Sequence, residues 1–273
     1  IRYREKILNS LDGMFAFAIL DCEQETLFCA RDQLGIKPLY YSSENSNFFF
    51  ASEIRPLFAM MNESPRLDSY AMYEFMRNSF VYEPNTGFEG VQKIGAGEFF
   101  TLDVNNRKII EKKRYWLPWD NHHNGRYSIE PTEVIKESLE EKIRQSIAGQ
   151  TISDVPVGLF FSGGVDSTII LSELKNRIEN FTVRNNSDHL SKAGITDDYA
   201  YSKKIAKIFD VSLREILFTS NNNGNAFLEE VKRLALLSEE LVADFTFIAS
   251  MSLSKSAKKE GYTVMLSGMG ADE

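Results

Sequence analysis

The sequence predicts an α/β protein with two domains, the second of which is built on a parallel sheet. Residues 1–120 are rich in short strand patterns separated by polar turns, whereas strand and helix patterns alternate from Thr132 onward. Such alternation, with apolar strands, is typical of a parallel sheet that helices cover on both faces. The length of 273 residues also fits two domains of ordinary size.

The first domain begins with two strand patterns that flank a polar turn. Residues 14–20 and 26–31 are strand-like and residues 21–25 form the turn between them, which predicts a hairpin. Elsewhere in this domain we predict strands at 39–42, 48–51, 98–102 and 108–115, and helices at 54–60 and 69–77.

The second domain follows a polar segment, 121–126, which shows neither the hydrophobic period of a helix nor that of a strand. We place the linker there and expect domains at 1–125 and 126–273. A helix is predicted after Thr132, because an apolar residue recurs every four positions, and we expect the helix to bury that stripe: Ile135, Leu139, Ile143 and Ile147. Beyond it we predict a doubly wound sheet with strands at 155–161, 180–183, 213–218 and 263–267, and helices at 168–177, 198–209, 226–237 and 247–259.

Composition excludes several classes of protein. Lys and Arg total 31 and Asp and Glu total 39, so the net charge of −8 disfavours a nucleic-acid binder. The longest apolar run, 14–20, is far shorter than the roughly 20 residues that cross a bilayer. Two cysteines, Cys22 and Cys29, are too few for a disulfide scaffold. No secretory pattern is seen after Ile1, so we expect a cytoplasmic protein that binds neither nucleic acid nor membrane.

The strongest functional signal is the loop 162–168, which reads Ser-Gly-Gly-Val-Asp-Ser-Thr and joins a predicted strand to a helix. Its two glycines let the backbone approach an anion closely, and the amides at the start of the helix face that anion. Its serines and threonine add hydroxyl groups. Asp166 fits a phosphate site if a hard cation such as Mg²⁺ bridges the two negative groups. The loop lacks the Gly-Lys-Ser/Thr ending of the common NTPase loop, so it predicts a different phosphate site.

This loop resembles the pyrophosphate loop of the ATP-pyrophosphatase (PP-loop) family, whose members cleave ATP between the α and β phosphates and adenylate a substrate. Further blocks narrow the resemblance to glutamine-dependent asparagine synthetase. They occur in the family's order and read Leu-Asp-Gly-Met-Phe-Ala-Phe-Ala-Ile at 11–19, Ala-Arg-Asp-Gln-Leu-Gly-Ile-Lys-Pro-Leu-Tyr-Tyr at 30–41, Phe-Ala-Ser-Glu-Ile at 50–54, Ser-Asp-Val-Pro-Val-Gly at 153–158 and Leu-Ser-Gly-Met-Gly-Ala-Asp-Glu at 266–273.

The resemblance covers nearly the whole chain and implies both fold and activity. It implies the carboxyl-terminal part of an amino-terminal-nucleophile glutaminase, an α/β/β/α sandwich, at 1–125. It implies the first part of a doubly wound ATP-pyrophosphatase synthetase domain at 126–273. The family is a ligase in which ammonia from glutamine attacks aspartyl-AMP, with release of AMP and pyrophosphate.

The resemblance also implies which residues bind ATP and Mg²⁺. It implies that the loop binds the pyrophosphate part of ATP, that the carboxylates of Asp166 and Asp272 bind Mg²⁺, and that Val183 contacts adenine. The alternative for Phe160 and Val183 is that they are ordinary core residues, and the alternative for Asp272 is that it is an acidic residue of a turn that binds no ligand. The implied nucleotide contacts are Phe160, Ser162, Gly163, Gly164, Val165, Asp166, Ser167, Thr168, Val183, Ser267 and Gly268, and the implied catalytic and metal-binding pair is Asp166 and Asp272.

The glutaminase nucleophile is the first departure from the family pattern. In the family it is an amino-terminal cysteine, which its own α-amine assists. This chain begins at Ile1 and ends at Glu273 within a Gly-rich turn, so we expect an internal piece of a longer protein that does not hydrolyse glutamine by itself. Cys29 lies in a predicted strand and Cys22 lies next to the end of the neighbouring one, and we expect both to be small core residues.

The second departure is Met269, at the centre of Ser-Gly-x-Gly, where the family usually has a Glu tied to forming aspartyl-AMP. A thioether carries no charge and takes no proton, so the acceptor stays open. The alternatives are aspartate, another carboxylate on a sugar or peptide precursor, and ring closure as in β-lactam-forming relatives. A non-catalytic nucleotide-binding module is a further alternative. The expected partners are small molecules, namely ATP, glutamine and the carboxylate, with a homodimer left open.

Overall fold

In the computed structural model the chain divides into two compact units. The first comprises Ile1–Tyr127 together with Ala235–Asp244, and the second comprises Ser128–Leu234 together with Phe245–Glu273. None of the described helices is both long and apolar enough to cross a membrane. The linker expected at 121–126 lies outside the described residues. The structure describes residues 4–44, 46–62, 64–118, 130–175, 177–185, 198–218, 224–241, 243 and 246–270.

The first unit contains two antiparallel sheets. The larger has the strand order β1-β2-β6-β7 and the smaller has the order β4-β3-β5. The strands are β1 (Ala16–Asp21), β2 (Thr26–Arg31), β3 (Tyr40–Glu44), β4 (Asn47–Ala51), β5 (Gln92–Lys93), β6 (Glu98–Asp103) and β7 (Lys108–Arg114). A 3₁₀ helix at Arg4–Ser10 and the helices α1 (Ile54–Met61) and α2 (Ser69–Asn78) also belong to this unit.

Alternating side chains on these strands build apolar layers. Leu27 of the larger sheet and Tyr41 of the smaller sheet share one cluster, which lies between the two sheets. On the other face of the larger sheet, Phe28 packs with Leu8 of the 3₁₀ helix. On the other face of the smaller sheet, Tyr40 packs with helix α1. The two sheets are therefore packed together, with the 3₁₀ helix against one outer face and α1 against the other.

Two buried charged residues fix the turn between β2 and β3. Asp32 is 1% exposed, and its carboxylate accepts hydrogen bonds from three backbone amides within residues 34–37 at 2.9–3.1 Å. Arg31 donates to the carbonyl of Ile94 at 2.6 Å and pairs with Glu83 at 2.7 Å. Because a buried charge is costly unless it is paired or hydrogen-bonded, these contacts hold the turn in one conformation.

The second unit is built on a parallel sheet with the order β10-β9-β8-β11. Leu159 of β8 packs with Leu171 on one face of the sheet, whereas Phe181 packs with Ala257 on the other, so helices cover both faces. The strands are β8 (Val157–Phe160), β9 (Glu179–Asn185), β10 (Arg214–Phe218) and β11 (Val264–Leu266). The helices are α3 (Thr132–Gln150), α4 (Val165–Leu174), α5 (Asp198–Phe209), α6 (Gly224–Leu237) and α7 (Thr246–Lys259).

The predicted mixed α/β architecture and the parallel sheet of the second unit are confirmed. Strand β2 and helix α5 have the predicted bounds. Helix α4 begins at Val165 rather than at 168, because the chain enters the helix directly after Gly164. Strand β5 was not predicted, since two residues are too short to show a period.

The apolar stripe of α3 is buried only towards the carboxyl end of the helix. Ile147 is 8% exposed, whereas Ile135 and Leu139 are 44% and 55% exposed. The prediction that the helix buries the whole stripe is therefore wrong for these two residues. The period reports which residues share one face of a helix, but it does not report how far the unit covers that face.

Candidate active site

The loop 162–168 leaves the carboxyl end of β8 and leads into helix α4. Gly163 has a φ of +84°, which L side chains rarely adopt, so this turn requires glycine. The N-cap residue of the helix is Gly164, which has no side chain of its own to cap the first-turn amides. The first-turn amides, at the positive end of the helix dipole, are therefore available as donors to an anion.

The hydroxyl groups of the loop bond to the loop itself. Ser167 Oγ and Thr168 Oγ1 both donate to the carbonyl of Gly164, at 3.2 and 2.7 Å. The Oγ atoms of Ser162 and Ser167 lie 3.2 Å apart. Ser167 is buried and Ser162 is exposed. These bonds fix the shape of the loop and leave the backbone amides as its main donors to a ligand.

The Gly-rich turn 267–270 packs directly against this loop. The turn follows β11, which pairs in parallel with β8, so the two turns lie at the same edge of the sheet. A Cβ atom on Gly268 would lie 2.7 Å from Ser167 N and 2.8 Å from Asp166 Cβ, so only glycine allows this approach. The structure thus brings together the two predicted motifs. A cleft of about 320 Å³ opens here, with Asp166 and Met269 among its lining residues.

Ser202 is a residue at this loop that sequence analysis missed. A Cβ atom on Gly163 would lie 2.6 Å from Ser202 N, so helix α5 touches the backbone of the loop. Ser202 Oγ lies 2.9 Å from Thr182 Oγ1 and donates to the carbonyl of Tyr199 at 2.9 Å. Its signal in the sequence is only that of a small polar residue near the start of a helix, which gives no hint of a long-range contact.

Phe160 and Val183 lie on adjacent strands. Phe160 pairs with Phe181 in the parallel register of β8 and β9, and Val183 lies two residues further along β9. Val183 is therefore at the carboxyl edge of the sheet, where open α/β sheets bind ligands. Phe160 is only partly buried and packs in the cluster that contains Phe181.

Asp166 is the predicted carboxylate that the structure describes. It lies in the first turn of α4 and is partly exposed. Asp272 lies outside the described residues. Within the described ranges, no group of three His, Cys, Asp or Glu side chains could hold a metal ion. A larger cavity of about 580 Å³, lined by Arg144 and Arg177 among others, contains none of the predicted site residues.

The two cysteines differ in environment. Cys29 is buried on β2, and this burial raises the pKa of its thiol to about 12. Such a thiol is unreactive at neutral pH, because the thiolate is the nucleophile. Cys22 is exposed, because β1 ends at Asp21 and the chain turns there. The prediction that both are core residues is confirmed for Cys29 and wrong for Cys22.

Two family models match this chain one after the other. The glutamine amidotransferase domain matches residues 1–116, and asparagine synthase matches residues 138–273. Asparagine synthetase [glutamine-hydrolyzing] 1 of Bacillus subtilis is 31% identical over 99% of this chain and 40% of its own length. Putative asparagine synthetase [glutamine-hydrolyzing] 2 of Methanocaldococcus jannaschii is 27% identical over 97% of this chain and 50% of its own length. Amidase chry2 of Gibberella zeae is 23% identical over 99% of this chain and 40% of its own length.

The chain thus joins a glutamine amidotransferase domain to an asparagine synthase domain. The predicted resemblance to the glutamine-hydrolysing asparagine synthetases is confirmed by both domain matches and by these relatives. The chain spans 40–50% of the length of the curated relatives named above.

The two thiols should react at very different rates with a thiol reagent. At pH 8 we expect one thiol of the native chain, that of Cys22, to react quickly, and both to react in denaturant. The exposed Cys22 has free access, whereas Cys29 is buried and its pKa of about 12 leaves almost no thiolate. The measurement is titration with a chromogenic disulfide, with Cys22→Ser as the control variant. Rapid reaction of Cys29 in the native chain would contradict the described burial.

Proposed function

We propose that the protein that contains this chain amidates a carboxylate, in the first instance aspartate, with ATP and with nitrogen from glutamine. The second unit is the first part of an ATP-pyrophosphatase synthetase domain, for which we propose the bounds 126–273. The products are the amide, AMP and pyrophosphate. The match to both domain families supports this proposal, as does the similarity to asparagine synthetases along nearly the whole chain.

The observation that carries the proposal is the close approach of the turn 267–270 to the loop 162–168. The missing Cβ of Gly268 lets one backbone lie against Asp166 and Ser167, beside a helix start whose N-cap residue is a glycine. Gly163, with a φ of +84°, allows the tight turn, and the first-turn amides of α4 can donate hydrogen bonds to phosphate. The carboxylate of Asp166 in the same turn can bind a cation. A magnesium-bound pyrophosphate needs these two kinds of group. The residues present therefore fit ATP with Mg²⁺.

The chain's own groups would act on the charge that develops as pyrophosphate leaves. The first-turn amides of α4 would donate hydrogen bonds to it, and the bonds from Ser167 and Thr168 to Gly164 keep these donors in place before ATP binds. Asp166 and Asp272 would hold Mg²⁺, which supplies positive charge to the leaving group. Phe160, Val183, Ser267 and Gly268 would contact the rest of the nucleotide.

The first unit would supply the ammonia. We propose that it is the carboxyl-terminal part of a glutaminase domain with bounds 1–125 and with the sandwich of an amino-terminal-nucleophile hydrolase. The packing of two sheets with a helix against each outer face agrees with this proposal. Neither thiol of this unit is suited to be the nucleophile, because Cys29 is buried and Cys22 lies within the chain, so its own amine is part of a peptide bond.

A second candidate is amidation of a different carboxylate by the same chemistry. Met269 is 76% exposed at the cleft beside Asp166, where it offers a thioether and no charge. The similarity to a protein named as an amidase, in addition to the asparagine synthetases, agrees with variation in the acceptor.

Removal of the Asp166 carboxylate should weaken the binding of ATP with Mg²⁺. We expect Asp166→Ala to raise the dissociation constant more than tenfold, about 1.4 kcal/mol or more, because it deletes a metal ligand. The measurement is isothermal titration calorimetry of the chain with magnesium and ATP. Glu137→Ala removes an exposed acid from α3 and should bind as the wild type does. Equal affinity of Asp166→Ala and wild type would refute the site.

Met269 should limit the use of aspartate. In the full-length protein we expect aspartate-dependent pyrophosphate release to be slow but measurable, and Met269→Glu should raise it if the missing carboxylate is limiting. Met269→Gln is the matched control, since it has similar size and no charge, and it should not raise the rate. Vigorous aspartate-dependent release with asparagine formation by the wild type would contradict this prediction. No change in Met269→Glu would favour a different acceptor.

A further inference from the structure

One segment of the asparagine synthase match groups with the first unit. Residues 235–244 lie within the matched range 138–273, but they belong to the first unit. In the sequence this segment ends just before helix α7, which is followed by β11 and the turn 267–270. Three of its consecutive residues contact the first unit in different ways: Glu239, Glu240 and Leu241.

Glu239 caps helix α1. Its Oε2 atom accepts hydrogen bonds from the amides of Ile54 and Arg55 at 2.6 and 3.1 Å. Its other carboxylate oxygen lies 3.1 Å from Arg55 Nε. The local N-cap residue, Glu53, makes no side-chain cap bond. A helix start needs acceptors for its first amides, so α1 takes its cap from a residue far away in the sequence.

Glu240 completes a charge network around two buried cations, in which the carboxylates are partly exposed. Its Oε2 atom lies 2.7 Å from Nζ of Lys93, which is 7% exposed, and its Oε1 atom accepts from the Tyr40 hydroxyl at 2.5 Å. Burial, together with this bond, raises the pKa of Tyr40. Lys93 also lies 4.0 Å from Glu83, which pairs with Arg31. Two cations and two carboxylates therefore balance, and without Glu240 the nearest carboxylate to Lys93 here would be Glu83 at 4.0 Å.

Leu241 adds a steric contact. A Cβ atom on Gly87 would lie 2.9 Å from Leu241 Cγ, so the absence of a side chain at Gly87 makes room for the leucine. No left-handed φ is recorded at Gly87, so its backbone tolerates alanine and only the leucine opposes it. Hydrogen bonding, charge pairing and shape thus all hold the same segment.

We propose that Glu239 and Glu240 are positioning residues that couple use of glutamine to synthesis. They fasten residues 235–244, which continue into α7 and towards the turn 267–270, to the unit that carries the glutamine amidotransferase match. This inference rests on the proposed function. If the segment is released, nitrogen from glutamine should be used poorly, whereas free ammonia, which needs no glutaminase, should still support synthesis.

A charge-exchange series in the full-length protein tests this coupling. The variants are Lys93→Glu, Glu240→Lys and the double variant that carries both. Each single variant places two like charges together, and the double variant restores one opposite pair. The readout is pyrophosphate release with ATP and aspartate, driven by glutamine in one arm and by ammonium chloride in the other. The glutamate formed per pyrophosphate is measured in parallel.

We expect each single variant to lose roughly tenfold in the ratio of glutamine-driven to ammonia-driven release, and the double variant to recover most of it. Glutamate formed per pyrophosphate should rise in the single variants. A purely structural role would lower both arms equally and leave the ratio unchanged, and that result would overturn the proposal. An unchanged ratio in variants of full activity would overturn it too.

A size-exchange pair covers the case in which the charge variants do not fold. Gly87→Ala should lower the same ratio, and Gly87→Ala with Leu241→Ala should restore it, because the second change removes the clashing Cγ. Failure of the double variant to restore the ratio would overturn the proposal. Wild-type protein that releases no pyrophosphate from either nitrogen source would instead refute the proposed function, and the coupling with it.

Discussion

The candidate site depends on one close approach between two backbones at the edge of a parallel sheet. The turn after β11 lies against the start of α4, and the missing side chain of Gly268 makes this possible. Because β8 and β11 are hydrogen-bonded neighbours, their turns emerge side by side, and the loop amides, Asp166 and Met269 meet there. Any side chain at Gly268 would separate the two turns, so the fold and the site impose the same requirement on this residue.

The first unit depends on a different kind of interaction. Its interior holds Arg31, Asp32 and Lys93, and each is held by hydrogen bonds or opposite charges. Such groups contribute little net stability compared with apolar packing, but they are costly if a partner is lost. They therefore specify which segments pack here. This explains how residues 235–244, which lie outside the amidotransferase match in the sequence, belong to this unit in the structure.

Much of the fold could be predicted from local signals. Strand β2 is an apolar run between polar turns, and α5 begins at the acidic residue Asp198, so local signals were enough to predict the bounds of both. The exposure of Ile135 and Leu139 could not be predicted, since a helical period does not say what covers the helix. Cys22 was misplaced because it was interpreted as a core residue of a strand, although β1 ends at Asp21 and Cys22 lies in the turn that follows. The environment of such residues is a property of tertiary structure.

The candidate site, like the fold, could be predicted from the sequence only in part. The loop 162–168 and the turn 267–270 were identified by glycines and acids at characteristic spacing, and the structure brings these two motifs together. Ser202 and the pairs made by Glu239 and Glu240 were not predicted, because their partners lie far away in the sequence and an ordinary serine or glutamate carries no local signal.

The central proposal is that the protein that contains this chain uses ATP by breaking the bond between the α and β phosphates of the nucleotide. The most direct measurement is phosphorus NMR of the full-length protein with ATP, Mg²⁺, glutamine and a panel of carboxylates that includes aspartate. The account predicts that AMP and pyrophosphate appear together in equal amounts and only when an acceptor is present. Formation of ADP and inorganic phosphate, or turnover that ignores the acceptor, would contradict it.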